Sequence, residues 1–260
     1  LGAISLLQAQ YILRAPTQRY NRPSERGNIL YVSNSILNTG GPGQNTAPPE
    51  LPGAGNNNNG FTTNYIDIDG DATTFNSSSA NLTLASCTQV LFAGLYWAAG
   101  RGGVGGAAPA NSTNDTGWIT AAANTVRFRL PGAPGYTNIT ATVFDRFNQA
   151  RVRVGVPAAT VSHSGYMCFA DVTALVTGLA NPNGTYFLAN MVGPVAAGKA
   201  AGYGGWTMVI VYADPSLQVR NLTVFDGCVV VAPAAGNVNV NVSGFNTPPS
   251  GPVSCQLGAV

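Results

Sequence analysis

The chain has 260 residues, only 8% of them charged, and a formal net charge of +2. It lacks the basic stripe that a nucleic-acid or anionic-membrane surface requires, and no apolar run reaches the ~18 residues of a membrane-spanning helix. Asn, Thr, Ser and Gly fill the polar positions, and 32 Gly and 17 Pro cluster between apolar runs, which predicts an all-β chain with long loops.

In residues 1–13, Leu7, Ala9, Tyr11 and Leu13 fall on one face of a strand, with Leu6, Gln8, Gln10 and Ile12 on the other. The first ten residues also resemble the end of a secretory signal. Residues 15–26, rich in Pro, Arg and Asn, predict a connector. Residues 1–26 are therefore expected to be an N-terminal extension, followed by one β-sandwich domain over 27–260. The apolar strand (Leu6, Leu7, Ala9, Tyr11, Leu13) is expected to complete the sheet of a neighbouring subunit, to fold back on its own sheet, or to be a signal remnant.

Strands are predicted over 28–37, 61–68, 73–75, 81–84, 90–98, 125–130, 139–145, 151–154, 166–169, 185–192, 206–212, 219–225, 229–232, 238–243 and 254–260. Residues 38–60 and 100–117 read as Gly/Asn-rich loops. Residues 171–176 are the best helical turn, with Asp171 as N-cap. The apolar run Trp-Thr-Met-Val-Ile-Val-Tyr over 206–212 is the central strand, stopped by Asp214-Pro215-Ser216. Strands this short and numerous predict an antiparallel sandwich or jelly roll.

Asp67, Asp69 and Asp71 stand within five residues, and like charges on alternate strand positions call for a counter-ion. Calcium, with its oxygen ligands, is the expected ion, although no Glu closes an EF-hand loop; the alternative is an exposed acidic strand end with Arg partners. Cys87, Cys168, Cys228 and Cys255 form no CxxC pair. Their even number predicts two disulfides and an oxidising compartment, with Cys228–Cys255 and Cys87–Cys168 favoured; the alternative is four buried free thiols. The lone His163 lies in a Ser-rich loop without a nucleophile elbow, and Lys199 lies in a glycine loop that fails the phosphate-loop pattern. Trp118, among Asn, Thr and Gly, is the candidate for an exposed ligand contact. Sequons at Asn76, Asn81, Asn111, Asn114, Asn138, Asn183, Asn221 and Asn241 fit an extracellular surface.

The run Trp206 to Tyr212, then Asp214-Pro215, then Arg220-Asn221-Leu222-Thr223-Val224-Phe225-Asp226-Gly227, is joined by four more stretches in order. They begin at Gly27-Asn28-Ile29, Tyr65-Ile66-Asp67, Leu91-Phe92-Ala93 and Ser243-Gly244-Phe245. Together they resemble a domain near the N-terminus of very large secreted bacterial surface proteins, including multi-repeat adhesins and adhesins exported by type IX secretion in gliding bacteria. The resemblance spans roughly residues 27–260. It implies a cell-surface location, a part in adhesion or gliding motility, and a chain that is a fragment or a processed product.

The expected function is a non-enzymatic extracellular structural or adhesive module of an adhesin or filament, assembled by strand complementation. Its expected partners are other copies of itself, other surface proteins or surface glycans, with no nucleic acid and no membrane insertion. The alternative is a calcium-assisted carbohydrate-binding module. Apart from calcium, no cofactor is expected.

Overall fold

The computed structural model describes residues 10–38, 64–101, 121–147, 164–194, 202–231, 239–244 and 250–259. In chain order the strands are β1 (Gln10–Ser35), β2 (Leu37–Asn38), β3 (Asn64–Tyr65), β4 (Ser77–Leu82), β5 (Gln89–Arg101), β6 (Thr125–Arg129), β7 (Thr137–Thr140), β8 (Val143–Phe147), β9 (Ser164–Asp171), β10 (Gly184–Ala189), β11 (Gly202–Ala213) and β12 (Val219–Val231). A short helix, α1 (Thr173–Thr177), follows β9. The strands form an antiparallel six-stranded sheet of order β12-β1-β11-β5-β9-β8, a four-stranded sheet of order β4-β10-β6-β7, and the small pair β2-β3. The fold is an all-β sandwich in which the larger sheet curls into a half-barrel.

Alternation along each strand decides what each face buries. Trp206, Met208 and Ile210 of β11, Leu95 and Trp97 of β5, and Tyr166 and Cys168 of β9 point inward, against Leu82, Tyr186, Leu188, Val126 and Phe128 of the four-stranded sheet. Burying one such Leu or Ile stabilises the fold by roughly 1.5–3 kcal/mol. Both core indoles find partners: Trp97 Nε1 donates to the Ala123 carbonyl at 3.0 Å and Trp206 Nε1 to Ser78 Oγ at 2.8 Å. The intervening residues Phe92, Phe169, Val209 and Val211 emerge on the outer face and build a second cluster with Leu222 and Val224 of β12 and Tyr20 of β1.

That second cluster follows from the length of β1. A straight strand of 26 residues would span roughly 85 Å, far beyond a domain of this size, whose radius of gyration is about 18 Å. The strand therefore bends, and it changes partner as it does so. Gly27 to Ser35 pairs with β11 in unbroken register. Gln10 to Arg26 pairs with β12, with register shifts at four places. One shift, between Arg22 and Glu25, brackets Ser24, a non-glycine residue in the left-handed region at φ 59. At Gly27, a Cβ would lie 2.0 Å from the Tyr212 carbonyl oxygen, so the neighbouring strand leaves room for glycine alone.

Several expectations are corrected. Residues 15–26 are strand rather than connector. Pro16 and Pro23 are tolerated because the ladder is irregular and needs no donor from them. The proposed boundary at 26/27 falls inside one continuous strand, and Tyr11 pairs with Val230 of its own chain. The single strand predicted over 139–145 is two, β7 and β8, in different sheets. The chain switches at Ala141 and Thr142, whose amides bond to the carbonyls of Asn124 and Phe169. Residues 73–75 form a turn, and the described parts of 238–243 and 254–260 join no sheet. Asp171 accepts the Thr173 amide at 2.9 Å, but the capping position itself is Val172. Residues 151–154 lie outside the described residues.

Candidate functional site

The half-buried charges of the larger sheet gather where the N-terminal part of β1 crosses its outer face. Arg14 Nε donates to Asp145 Oδ2 on β8 at 2.8 Å, and Arg14 Nη1 donates to Asp226 Oδ1 on β12 at 2.6 Å. Arg19 Nε lies 2.8 Å from Asp226 Oδ2, close enough for an ion pair though off the hydrogen-bond line. The Arg19 guanidinium stands 4.7 Å above the Phe169 ring, and Tyr20 stacks on Phe92 at 5.3 Å. Two cations thus meet two anions, and one strand is pinned to both ends of the curled sheet. The clamp is tight: Asp226 keeps only 7% of its side chain exposed.

The electrostatics follow from this geometry. Burial alone would lower the Arg14 pKa, but bonds to Asp226 and Asp145 outweigh it and leave the guanidinium above its ordinary value. The Tyr96 hydroxyl is buried without a hydrogen-bond partner. Desolvation pushes its pKa well up, and the Asp226 charge adds to the shift. Cys228, opposite Arg14 in the ladder, is pushed up to about 11 by burial, with Asp145 adding and Arg14 opposing. These groups are arranged to stay as they are. A buried phenol and thiol, both pushed toward the protonated form, lie beside an ion network in which each arginine faces a carboxylate.

The three aspartates expected to hold calcium share the loop between β3 and β4, where their oxygens face donors of their own chain. Asp69 accepts the Asp71 amide at 2.9 Å, the Thr74 hydroxyl at 3.1 Å and the Tyr136 hydroxyl at 2.5 Å. Asp71 Oδ1 accepts both the amide and the hydroxyl of Thr73, and that hydroxyl also meets Arg127 at 2.6 Å. Asp67 accepts from Ser77 Oγ at 3.0 Å. Burial would raise the Asp69 pKa, but hydrogen bonds led by Tyr136 lower it below the ordinary carboxylate value. Among the described residues, no three His, Cys, Asp or Glu side chains form a metal-holding group.

All four cysteines are free, and neither expected bridge is formed. Cys168 is buried in the inner core, with its thiol 3.6 Å from the Ala123 carbonyl, whereas Cys87 is exposed in a turn at φ 66. Cys228 is buried under the clamp and Cys255 is exposed on the C-terminal segment. Asn76 is fully buried and bonded to both backbone groups of Met191, so this sequon is closed in the folded chain. Leu6, Leu7, Ala9, Trp118, His163 and Lys199 lie outside the described residues. Of the aromatic pair 96–97, Trp97 faces inward and Tyr96 outward beneath β1.

Sequence reasoning missed Arg14, Arg19, Asp145 and Asp226. One signal was available. In a chain so poor in charge, arginines embedded in an apolar or Pro-rich stretch need anionic partners. Fold and site together define an antiparallel β-sandwich with a charge-fastened outer strand. Comparisons with family models, with curated proteins and with solved structures found no match to the chain.

Proposed function

We propose that the chain is a non-enzymatic structural or adhesive module of an extracellular surface protein or filament, acting with other copies of itself or with other surface proteins. The observation that carries this reading is how the chain uses its carboxylates. Of its ten acidic residues, Glu50 and Asp115 lie outside the described residues. Glu25 accepts from Arg22 and from the Arg26 amide, Asp171 from Thr173, and Asp214 from Ser216. The three loop aspartates and the two clamp aspartates are likewise held by their own chain. A general acid or base needs a carboxylate free to meet a substrate; among the described residues each one fastens a turn, a helix start or a strand. The neutral polar composition supports the same reading, since it suits close packing of copies without charge repulsion. A place at the cell surface, export by type IX secretion and a part in gliding rest on the adhesin resemblance.

Negative-stain imaging of native material, with antibody labelling of intact cells, tests the proposal. Filaments or a labelled surface layer are expected. Labelling confined to the cell interior, or turnover in a screen of ester, peptide and glycoside substrates, would overturn it.

A further inference from the structure

We propose that the N-terminal part of β1, from Gln10 to Arg22, is an exchangeable strand that can leave its own β12 and seat on β12 and the outer sheet face of a second copy of this chain. Three observations converge on this segment. First, its ladder with β12 is the irregular one: register shifts fall at Ile12/Arg14, Arg14/Thr17, Gln18/Tyr20 and Arg22/Glu25, and Pro16 and Pro23 offer no amide. Each shift interrupts paired hydrogen bonding, so the strand can be peeled in short steps. Second, the segment ends at a corner. Pro23 precedes Ser24, held at φ 59, inside the last register shift. Straightening this corner returns Ser24 to an ordinary extended conformation, so the open arm is relieved of a backbone penalty that the closed form carries. Third, the side-chain contacts beneath the segment are specific pairs: the bonds of Arg14 to Asp145 and Asp226, the Arg19–Asp226 pair, the Arg19 guanidinium over the Phe169 ring, and the Tyr20–Phe92 stack. All of them lie between β1 and elements beyond the corner, so a second copy can make the same set without any new surface.

Exchange costs only the entropy of association, which a crowded array of copies reduces. The occupant is a second copy because the pattern is self-complementary: two arginines spaced along the arm meet two aspartates on the body. The inference rests on the assembly reading for its biological setting, but its test uses purified full chain. A negative result therefore removes strand exchange and leaves the imaging of native material to judge that reading separately.

The test is a charge-reversal pair. One variant carries Arg14→Asp and Arg19→Asp; the other carries Asp145→Arg and Asp226→Arg. Alone, each places four like charges under its own arm, so each should melt well below wild type and run as a monomer. Mixed at equal amounts, each arm is complementary to the other chain's body. Native mass spectrometry should then show a one-to-one heterodimer, and the mixture should melt above either variant. A mixture that shows only the two monomers with their separate melting curves overturns the proposal. If either variant fails to fold, two isotopically distinct wild-type chains are unfolded and refolded together at high concentration. Mixed dimers are expected, and their absence overturns the proposal equally.

Discussion

The two halves of β1 are one strand held by different physics. From Gly27 to Ser35 it pairs with β11 residue for residue, and its inward side chains Leu30 and Val32 join the core between the two sheets. From Gln10 to Arg26 it slips against β12 at four places and is fastened by Arg14, Arg19 and two aspartates. Where one face is buried in an apolar core, a one-residue slip would turn every side chain the wrong way, so register is enforced. Where the strand lies over an outer face, few apolar positions demand a particular register, and localised charges take over that task. The molecule thus has a rigid apolar sandwich and an outer strand that is specific without being deeply packed.

The largest effect is expected on the rigid side. Trp97→Ala removes one of the largest fully buried side chains and its bond to Ala123. It should cost about 3–5 kcal/mol in urea unfolding. A loss below about 1 kcal/mol would mean that the inner core is not the chief source of stability. Next comes the clamp. Asp226→Ala leaves Arg14 with Asp145 alone and takes from Arg19 its carboxylate, and should cost about 2–3 kcal/mol, less than for a fully buried pair because Arg14 and Arg19 keep contact with water. Hydrogen exchange then divides the two halves. Amides of residues 10–26 should lose protection while those of 27–35 keep it; equal loss would show that β1 is a single cooperative unit.

A smaller effect belongs to the acidic loop. Tyr136→Phe deletes the hydroxyl donated to Asp69 and should cost about 1 kcal/mol at neutral pH. The sign of its pH dependence is set by Asp69, whose folded pKa lies below its unfolded value. The stability this contributes is present above the ordinary carboxylate pKa of about 3.9 and is lost as pH falls through the folded value. Wild type and variant should therefore differ most at neutral pH and converge in acid. A difference that stays constant with pH would assign the effect to packing instead. Because the loop carboxylates already face donors, adding calcium to chelator-treated protein should leave the melting curve unmoved; a rise would show that the ion displaces those donors.

The strands that bury both faces were legible from their residues. The apolar run over 206–212 falls within β11 (Gly202–Ala213), and Leu222 and Val224 share one face as alternation requires, packing in the outer cluster. The division of 139–145 was not legible. Ala141 and Thr142 carry no turn signal, and what parts β7 from β8 is the position of two distant carbonyls, those of Asn124 and Phe169. Pro16 and Pro23 read as a connector because proline argues against a regular ladder, and only an irregular one accommodates them. The clamp was hidden by distance along the chain: Arg14 meets partners 131 and 212 residues away. No local pattern encodes such a pairing. The aspartate cluster on the β3–β4 loop was plain in sequence, yet the donors it uses include Tyr136 and Arg127 from another sheet strand and its turn.

The smallest effect is on reactivity rather than stability, and it sharpens the comparison most. Cys168 and Cys228 are both buried free thiols, one in the inner core and one opposite Arg14 beneath the outer strand. Burial raises both above the ordinary thiol range, Cys228 to about 11 and Cys168 further. At neutral pH each reacts only when an opening exposes it to water and restores its ordinary acidity. Cys87 and Cys255 are exposed and should be modified at once. If the outer strand opens separately, Cys228 should follow in native buffer at a rate that rises in Asp226→Ala, whereas Cys168 should wait for global unfolding. Mass spectrometry of quenched time points reads the order directly. Equal rates for Cys168 and Cys228, unchanged by Asp226→Ala, would mean that the two halves of β1 open together and that the charge clamp does not define a separate unit of structure.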